Sequence, residues 1–60
     1  MYKKHVIELK ELIKNHGYWS QAVYNYNNDM VNRYGKYNAD RIETSAILMM
    51  QTGVYKLVNP

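Results

Sequence analysis

Sixty residues with a formal net charge of +3 and no cysteine make one small domain, held together by no disulfide and no thiolate metal site. No apolar run approaches the roughly 18 residues that a membrane span requires, and Met1-Tyr2-Lys3-Lys4 leads into a charged segment, not a signal h-region; the expectation is a soluble, cytoplasmic protein with no membrane contact. The basic balance mildly favours an anionic partner but falls well short of a polybasic tail.

The three glycines, Gly17, Gly35 and Gly53, lie 18 residues apart, and each is followed by any residue and then an aromatic. Glycine is the usual residue just past a helix C-terminus, where it takes the left-handed conformation without a Cβ clash. The spacing predicts an all-α fold, a compact three-helix bundle forming a single domain over 1–60. Helices are expected at about 2–16, 20–34 and 38–52, followed by a short extended tail over 54–60.

In the first helix, Tyr2, His5, Val6, Leu9, Leu12, Ile13 and His16 share one face at helical spacing, with Lys3, Lys10 and Lys14 opposite. Lys4 and Glu8 stand four residues apart as an expected ion pair. The second helix opens with Ser20 as N-cap and Trp19 positioned to staple onto Tyr24. Ala22, Val23, Tyr26, Met30 and Tyr34 form its apolar face, and Asp29 pairs with Arg33. Asn25, Asn27, Asn28 and Asn32 together cost about 2 kcal/mol relative to alanine, which packing or function must offset.

The third helix repeats the start signal, with Tyr37 as staple, Asn38 as N-cap, Asp40 in the first turn and Ile42 as the staple's partner. Ala39, Ile42, Ala46, Met49 and Met50 form its main stripe, broadened by Ile47 and Leu48, as expected of the central helix of a bundle. The tail Val54-Tyr55-Lys56-Leu57-Val58 alternates like a strand but has no strand partner in the chain. It either folds back over the helices, pairs across a dimer or stays loose.

Nothing in the chain assembles into a catalytic motif. There is no His-Glu-x-x-His, no glycine loop to cradle phosphate and no cysteine nucleophile, so no enzyme and no cofactor is expected. His5 and His16 are eleven residues apart on the apolar face, roughly 16 Å along the axis, too far to share a metal ion, and read as core-edge residues. Glu8, Glu11, Asp29, Asp40 and Glu43 read as solvated surface. Seven tyrosines, seven asparagines and six lysines are also what AT-rich coding produces, which suits a low-GC bacterium or a phage or mobile element within one.

The segment from Leu9 to Tyr26 carries the sharpest functional pattern. Gly17 and Val23 stand six apart, Leu12 supplies an apolar residue before the turn, and Tyr26 follows Val23 by three. This spacing resembles a helix-turn-helix, a resemblance that covers under a third of the chain. It implies a regulatory module that presents Trp19, Ser20, Gln21, Tyr24, Asn25 and Asn28 to the major groove of double-stranded DNA. Amides would read adenine, and Arg33 and lysines would neutralise phosphates. Ile13 occupies a position where that motif carries a small residue, and the reading helix has no cation before Arg33.

A second expectation is a protein-binding module, an inhibitor or adaptor that grips a host protein through a Tyr/Asn-rich helical face including Asn32 and Arg33. Six aromatics and few charges lie between Tyr18 and Tyr37, and Tyr and Trp bury much area with few rotors. A third is purely structural, with Tyr18, Tyr24 and Tyr34 forming a second packing layer or a homodimer seam.

Overall fold

The computed structural model describes residues 1–59 and shows three helices, α1 (Lys3–His16), α2 (Gln21–Tyr34) and α3 (Lys36–Thr52), with no strand among the described residues. All three pairs of helices touch. The all-α three-helix bundle expected from the glycine spacing is therefore the fold, and the first two helices start within one residue of their expected positions. Contacts between α1 and α2 run in opposite chain order, with His5 near Tyr34 and Glu8 near Tyr26. Those between α2 and α3 do the same, from Tyr34 at Asn38 to Asn27 at Glu43.

The core draws Val6, Leu9 and Ile13 from α1, Val23 and Met30 from α2, and Ala39, Ile42 and Ala46 from α3. Five larger apolar side chains of α1 and α2 thus share the core with Ile42 and two alanines of α3. Ser45 is fully buried beside them.

Each helix ends as the sequence requires, with the backbone N–H of Gly17, Gly35 and Gly53 donating to Ile13, Val31 and Met49. Only Gly53, at φ 76° and ψ 3°, adopts the expected left-handed helical conformation. Gly17 (φ 91°, ψ 150°) and Gly35 (φ 87°, ψ 161°) instead lie in the extended positive-φ region that only glycine occupies readily. That geometry reverses the chain at once, so Gly35 alone joins α2 to α3 and the third helix begins at Lys36, not at Asn38.

Asn38 consequently stands inside the first turn instead of capping it: its amide donates to the Tyr34 carbonyl at 3.0 Å and accepts from Arg41. Ser20 is the N-cap of α2 as expected, accepting the Val23 N–H at 3.3 Å. Neither aromatic staple closes in the expected way. Trp19 is 93 % exposed and sits edge-on to Tyr18, with ring centroids 4.9 Å apart. Tyr37 is 57 % exposed and lies against the Arg41 guanidinium, not Ile42. A staple needs its aromatic drawn inward, and the one-residue and tight-turn connections leave both rings outside the core.

Of the three placements open to the tail, the chain takes the fold-back. Tyr55 and Leu57 pack against the core cluster, the Val58 N–H donates to the buried Ser45 hydroxyl at 3.0 Å, and Arg41 Nε donates to the Val58 carbonyl. Lys3 places its ammonium over the Tyr55 ring at 5.6 Å. The last residue of the expected tail, Pro60, lies outside the described residues.

Between α1 and α2 the core gives way to a polar seam. The Tyr26 hydroxyl donates to Glu8 Oε1 at 2.7 Å and stands 3.2 Å from His5 Nδ1, while the Tyr34 hydroxyl stands 3.0 Å from His5 Nε2. One neutral tautomer satisfies every group: Nδ1–H donates to Tyr26, and Nε2 accepts from Tyr34. Tyr2 closes the end of the seam, edge-on to Tyr34 at 5.2 Å. His5 thus lies at the core edge as expected, whereas His16 is exposed in the last turn of α1. Glu8 engages Tyr26 and His5 in place of the expected partner Lys4.

Candidate partner-binding face

Val23 and Met30 turn α2 inward, which sends the opposite side of the helix to solvent. Gln21, Asn25, Asn28 and Asn32, spaced by four, three and four residues, make an exposed stripe composed only of amides. Gln21 Nε2 donates to Asn25 Oδ1 at 2.8 Å, so part of this stripe is already ordered along the helix. Amides are poor helix formers because they compete for backbone groups. Here the Ser20 cap, two buried apolar anchors and a hydrogen bond from Asn27 to Glu43 offset that weakness.

Beside the stripe, toward α3, stand the exposed aromatics Trp19 and Tyr24, the latter 62 % exposed. The Tyr18 and Trp19 rings meet at 89°, forming two walls at right angles. With Tyr24, Asn27 and Glu43 they enclose a cavity of about 160 Å³ between the α1–α2 turn and α3. Glu43 accepts from the Tyr18 hydroxyl at 2.8 Å and from the Asn27 amide at 3.1 Å, both at Oε2. That bond to Glu43, reinforced by partial burial, raises the Tyr18 phenol above its usual value and keeps it a donor. A second cavity of about 250 Å³ adjoins the first and reaches Lys36 and Asp40.

Charge is unevenly spread. The cations nearest this face are both matched: Arg33 to Asp29 at 3.2 Å and Lys36 to Asp40 at 2.7 Å. The Asp40 hydrogen bond raises the Lys36 pKa, and that group stays charged. Lys3, Lys4, Lys10 and Lys14 are all on α1, where Lys10 and Lys14 border Met49 and Met50 and Lys3 covers Tyr55.

Of the residues singled out in the sequence, Trp19, Gln21, Tyr24, Asn25, Asn28, Asn32 and Arg33 are exposed on or beside one face of α2. Ser20 is half-buried and engaged as the cap. Sequence reading missed Asn27 and Glu43 as members of this face. Glu43 is not a freely solvated carboxylate, and it meets Tyr18 across 25 residues of chain, a pairing no local pattern encodes. Among the described residues no three His, Asp or Glu side chains come together in a group that could hold a metal ion. No helix among them is long and apolar enough to cross a membrane.

The fold and this face define the chain as a small three-helix bundle with an aromatic- and amide-rich surface. Compared with known proteins, it matches no family model, no curated protein and no solved structure.

Proposed function

We propose that this chain is a non-enzymatic protein-binding module whose recognition face is the exposed side of α2 together with the α1–α2 turn. The observation that carries the reading is Trp19, 93 % exposed beside the 62 % exposed Tyr24 and flanked by uncharged amides. Trp and Tyr dominate binding energy where a partner desolvates them, and amides supply adaptable polar contacts around such anchors. Neither aromatic contributes to the core cluster, so their exposure has no counterpart in folding.

The second reading, a helix-turn-helix-like DNA-binding regulator, is favoured by the amide stripe, since Asn and Gln bond adenine bidentately. Phosphate contacts supply most of the affinity in such complexes and need available cations around the reading helix. Arg33 and Lys36 are paired with carboxylates, Arg41 on α3 is engaged by Asn38 and the Val58 carbonyl, and the remaining lysines of the helices lie on α1. That distribution favours a protein partner over a duplex.

The test compares the wild-type chain with a Trp19→Ala/Tyr24→Ala variant in affinity capture, with labelled random-sequence duplex DNA titrated in parallel at low and physiological salt. The expected result is salt-tolerant capture of a discrete protein by the wild type alone, with unchanged helical circular dichroism in the variant. Micromolar DNA affinity falling steeply with salt, with no protein captured, would replace this reading by the DNA-binding one. A melting temperature that rises with protein concentration, with neither ligand bound, would assign the face to a homodimer.

A further inference from the structure

The cavity bounded by Tyr18, Trp19, Tyr24 and Glu43 has the composition of a cation receptor: aromatic walls with a carboxylate among them. Aromatic faces attract cations through the ring quadrupole, and guanidinium groups do so most readily because they are planar and weakly hydrated. A cation is attracted to a ring face and repelled by its positive edge, so the faces available to it are those of the exposed Trp19 and Tyr24, Tyr18 being engaged edge-to-face with Trp19. Glu43 is fixed by two donors at Oε2, while Oε1 accepts no hydrogen bond among the described residues. A carboxylate so held retains acceptor capacity for an incoming donor.

The cavity's size and charge narrow the occupant further. About 160 Å³ is room for one side-chain head group, and the adjoining cavity of about 250 Å³, which shares Tyr24, Asn27 and Glu43, leaves space beside it for the polar residues around that head group. The nearby cations do not fill it, because Arg33 and Lys36 are held by Asp29 and Asp40. Asp29 and Asp40 are matched by those same cations, so the unbalanced charge at the cavity is that of Glu43, which makes no ion pair among the described residues.

We propose that this cavity receives the guanidinium of an arginine side chain from a partner protein, stacked against Trp19 and Tyr24 and hydrogen-bonded to Glu43. The proposal rests on the protein-binding reading and names the anchor that the partner must supply. It also gives the face a polarity: the partner's arginine enters beside the α1–α2 turn, and the amide stripe receives the polar residues around it.

The experiment titrates the full chain with Nα-acetyl-arginine amide, with the citrulline analogue (same shape, no charge) and with the lysine analogue, followed by nuclear magnetic resonance at the indole N–H of the single tryptophan, Trp19. One exposed cation–π contact with one charge-assisted hydrogen bond supports millimolar affinity for an isolated residue. The expected result is a saturable shift of Trp19 with arginine, at least about tenfold weaker with citrulline, and weaker with lysine. Glu43→Gln should weaken arginine by about tenfold while the amide spectrum stays dispersed. Trp19→Ala, at a residue outside the core, should abolish the response of the neighbouring Tyr24 resonances.

Equal responses to arginine and citrulline, or a lysine response matching arginine, would overturn the assignment. Protein capture that depends on Trp19 and Tyr24 but is untouched by Glu43→Gln would overturn the cavity proposal and leave the protein-binding reading standing. Arginine binding at the cavity with no protein captured would leave the cavity's guanidinium affinity standing and overturn its assignment to a protein partner.

Discussion

Replacing Tyr26 with phenylalanine removes one hydroxyl from the seam between α1 and α2 and leaves the ring in place. That hydroxyl donates to Glu8 Oε1 at 2.7 Å, and it is the first cause of the lowered Glu8 pKa; partial burial opposes it, and His5 and Lys4 add to it. The Tyr26 hydroxyl is half-buried, and an ordinary hydrogen bond of such a group contributes about 0.5–1.5 kcal/mol net, so the expected loss on Tyr26→Phe is about 1 kcal/mol. His5 Nδ1 is not orphaned, because Glu8 Oε1 lies 3.5 Å from it and can accept in place of the lost hydroxyl.

For a domain this small, about 1 kcal/mol lowers Tm by roughly 4–8 °C. Thermal melts of wild type and Tyr26→Phe at about pH 7 should show that gap. A carboxyl whose folded pKa is depressed contributes stability above its ordinary value of 4.5 and loses it as pH falls through the folded value. The gap should therefore shrink as pH is lowered from 4.5 through the folded value. A gap that stays unchanged throughout an acid titration of the folded protein, or none at neutral pH, would refute the assignment of the seam's stability to the Tyr26–Glu8 bond.

Other perturbations follow from the same structure. Burial, followed by the bond to Glu8, raises the Tyr26 phenol far above its usual 10.0, so its contribution is complete below pH 10 and is lost as pH climbs beyond; alkaline melts should destabilise the wild type more steeply than Tyr26→Phe. Gly35→Ala forces a Cβ onto φ 87° and ψ 161° and should cost about 1–3 kcal/mol, whereas Gly53→Asn, at φ 76° and ψ 3°, should cost a few tenths by denaturant titration. Ser45→Ala removes the acceptor of the Val58 N–H and should cost about 1–3 kcal/mol, with loss of hydrogen-exchange protection at that amide. Met30→Ala opens the core where α2 contributes its largest buried side chain, and a cost of about 2–5 kcal/mol should unfold much of the population at 25 °C, as seen in circular dichroism.

The helices were legible because their signals are local. Ser20, the three glycine stops and the apolar periodicity of Val6, Leu9 and Ile13 each act within a turn or two of chain. The start of α3 was misplaced because a polar residue followed by Ala-Asp imitates a cap, while the deciding fact was the backbone angle of Gly35, invisible in residue identity. The exposed amide stripe was readable from helical spacing alone. The cavity was not, since Tyr18, Asn27 and Glu43 converge only after α3 folds against α2. The seam escaped for the same reason: His5, Tyr26 and Tyr34 come from elements that meet through tertiary packing.

Gly35 makes the link between α2 and α3 a single residue, so closing that helix pair incurs almost no loop entropy. Their contacts are short in sequence, and all-helical chains dominated by such contacts assemble in microseconds to milliseconds. The α2–α3 hairpin is thus the pair that closes at least entropic cost, and α1 and the returning tail, which meet where Lys3 covers Tyr55, both pack onto it. A chain near the lower size limit for independent folding has little equilibrium stability in reserve. Where reclosure of this one-residue hinge outpaces cleavage, exposure to proteases follows the equilibrium population of the open form, and the few buried side chains of the core then set how long the chain persists.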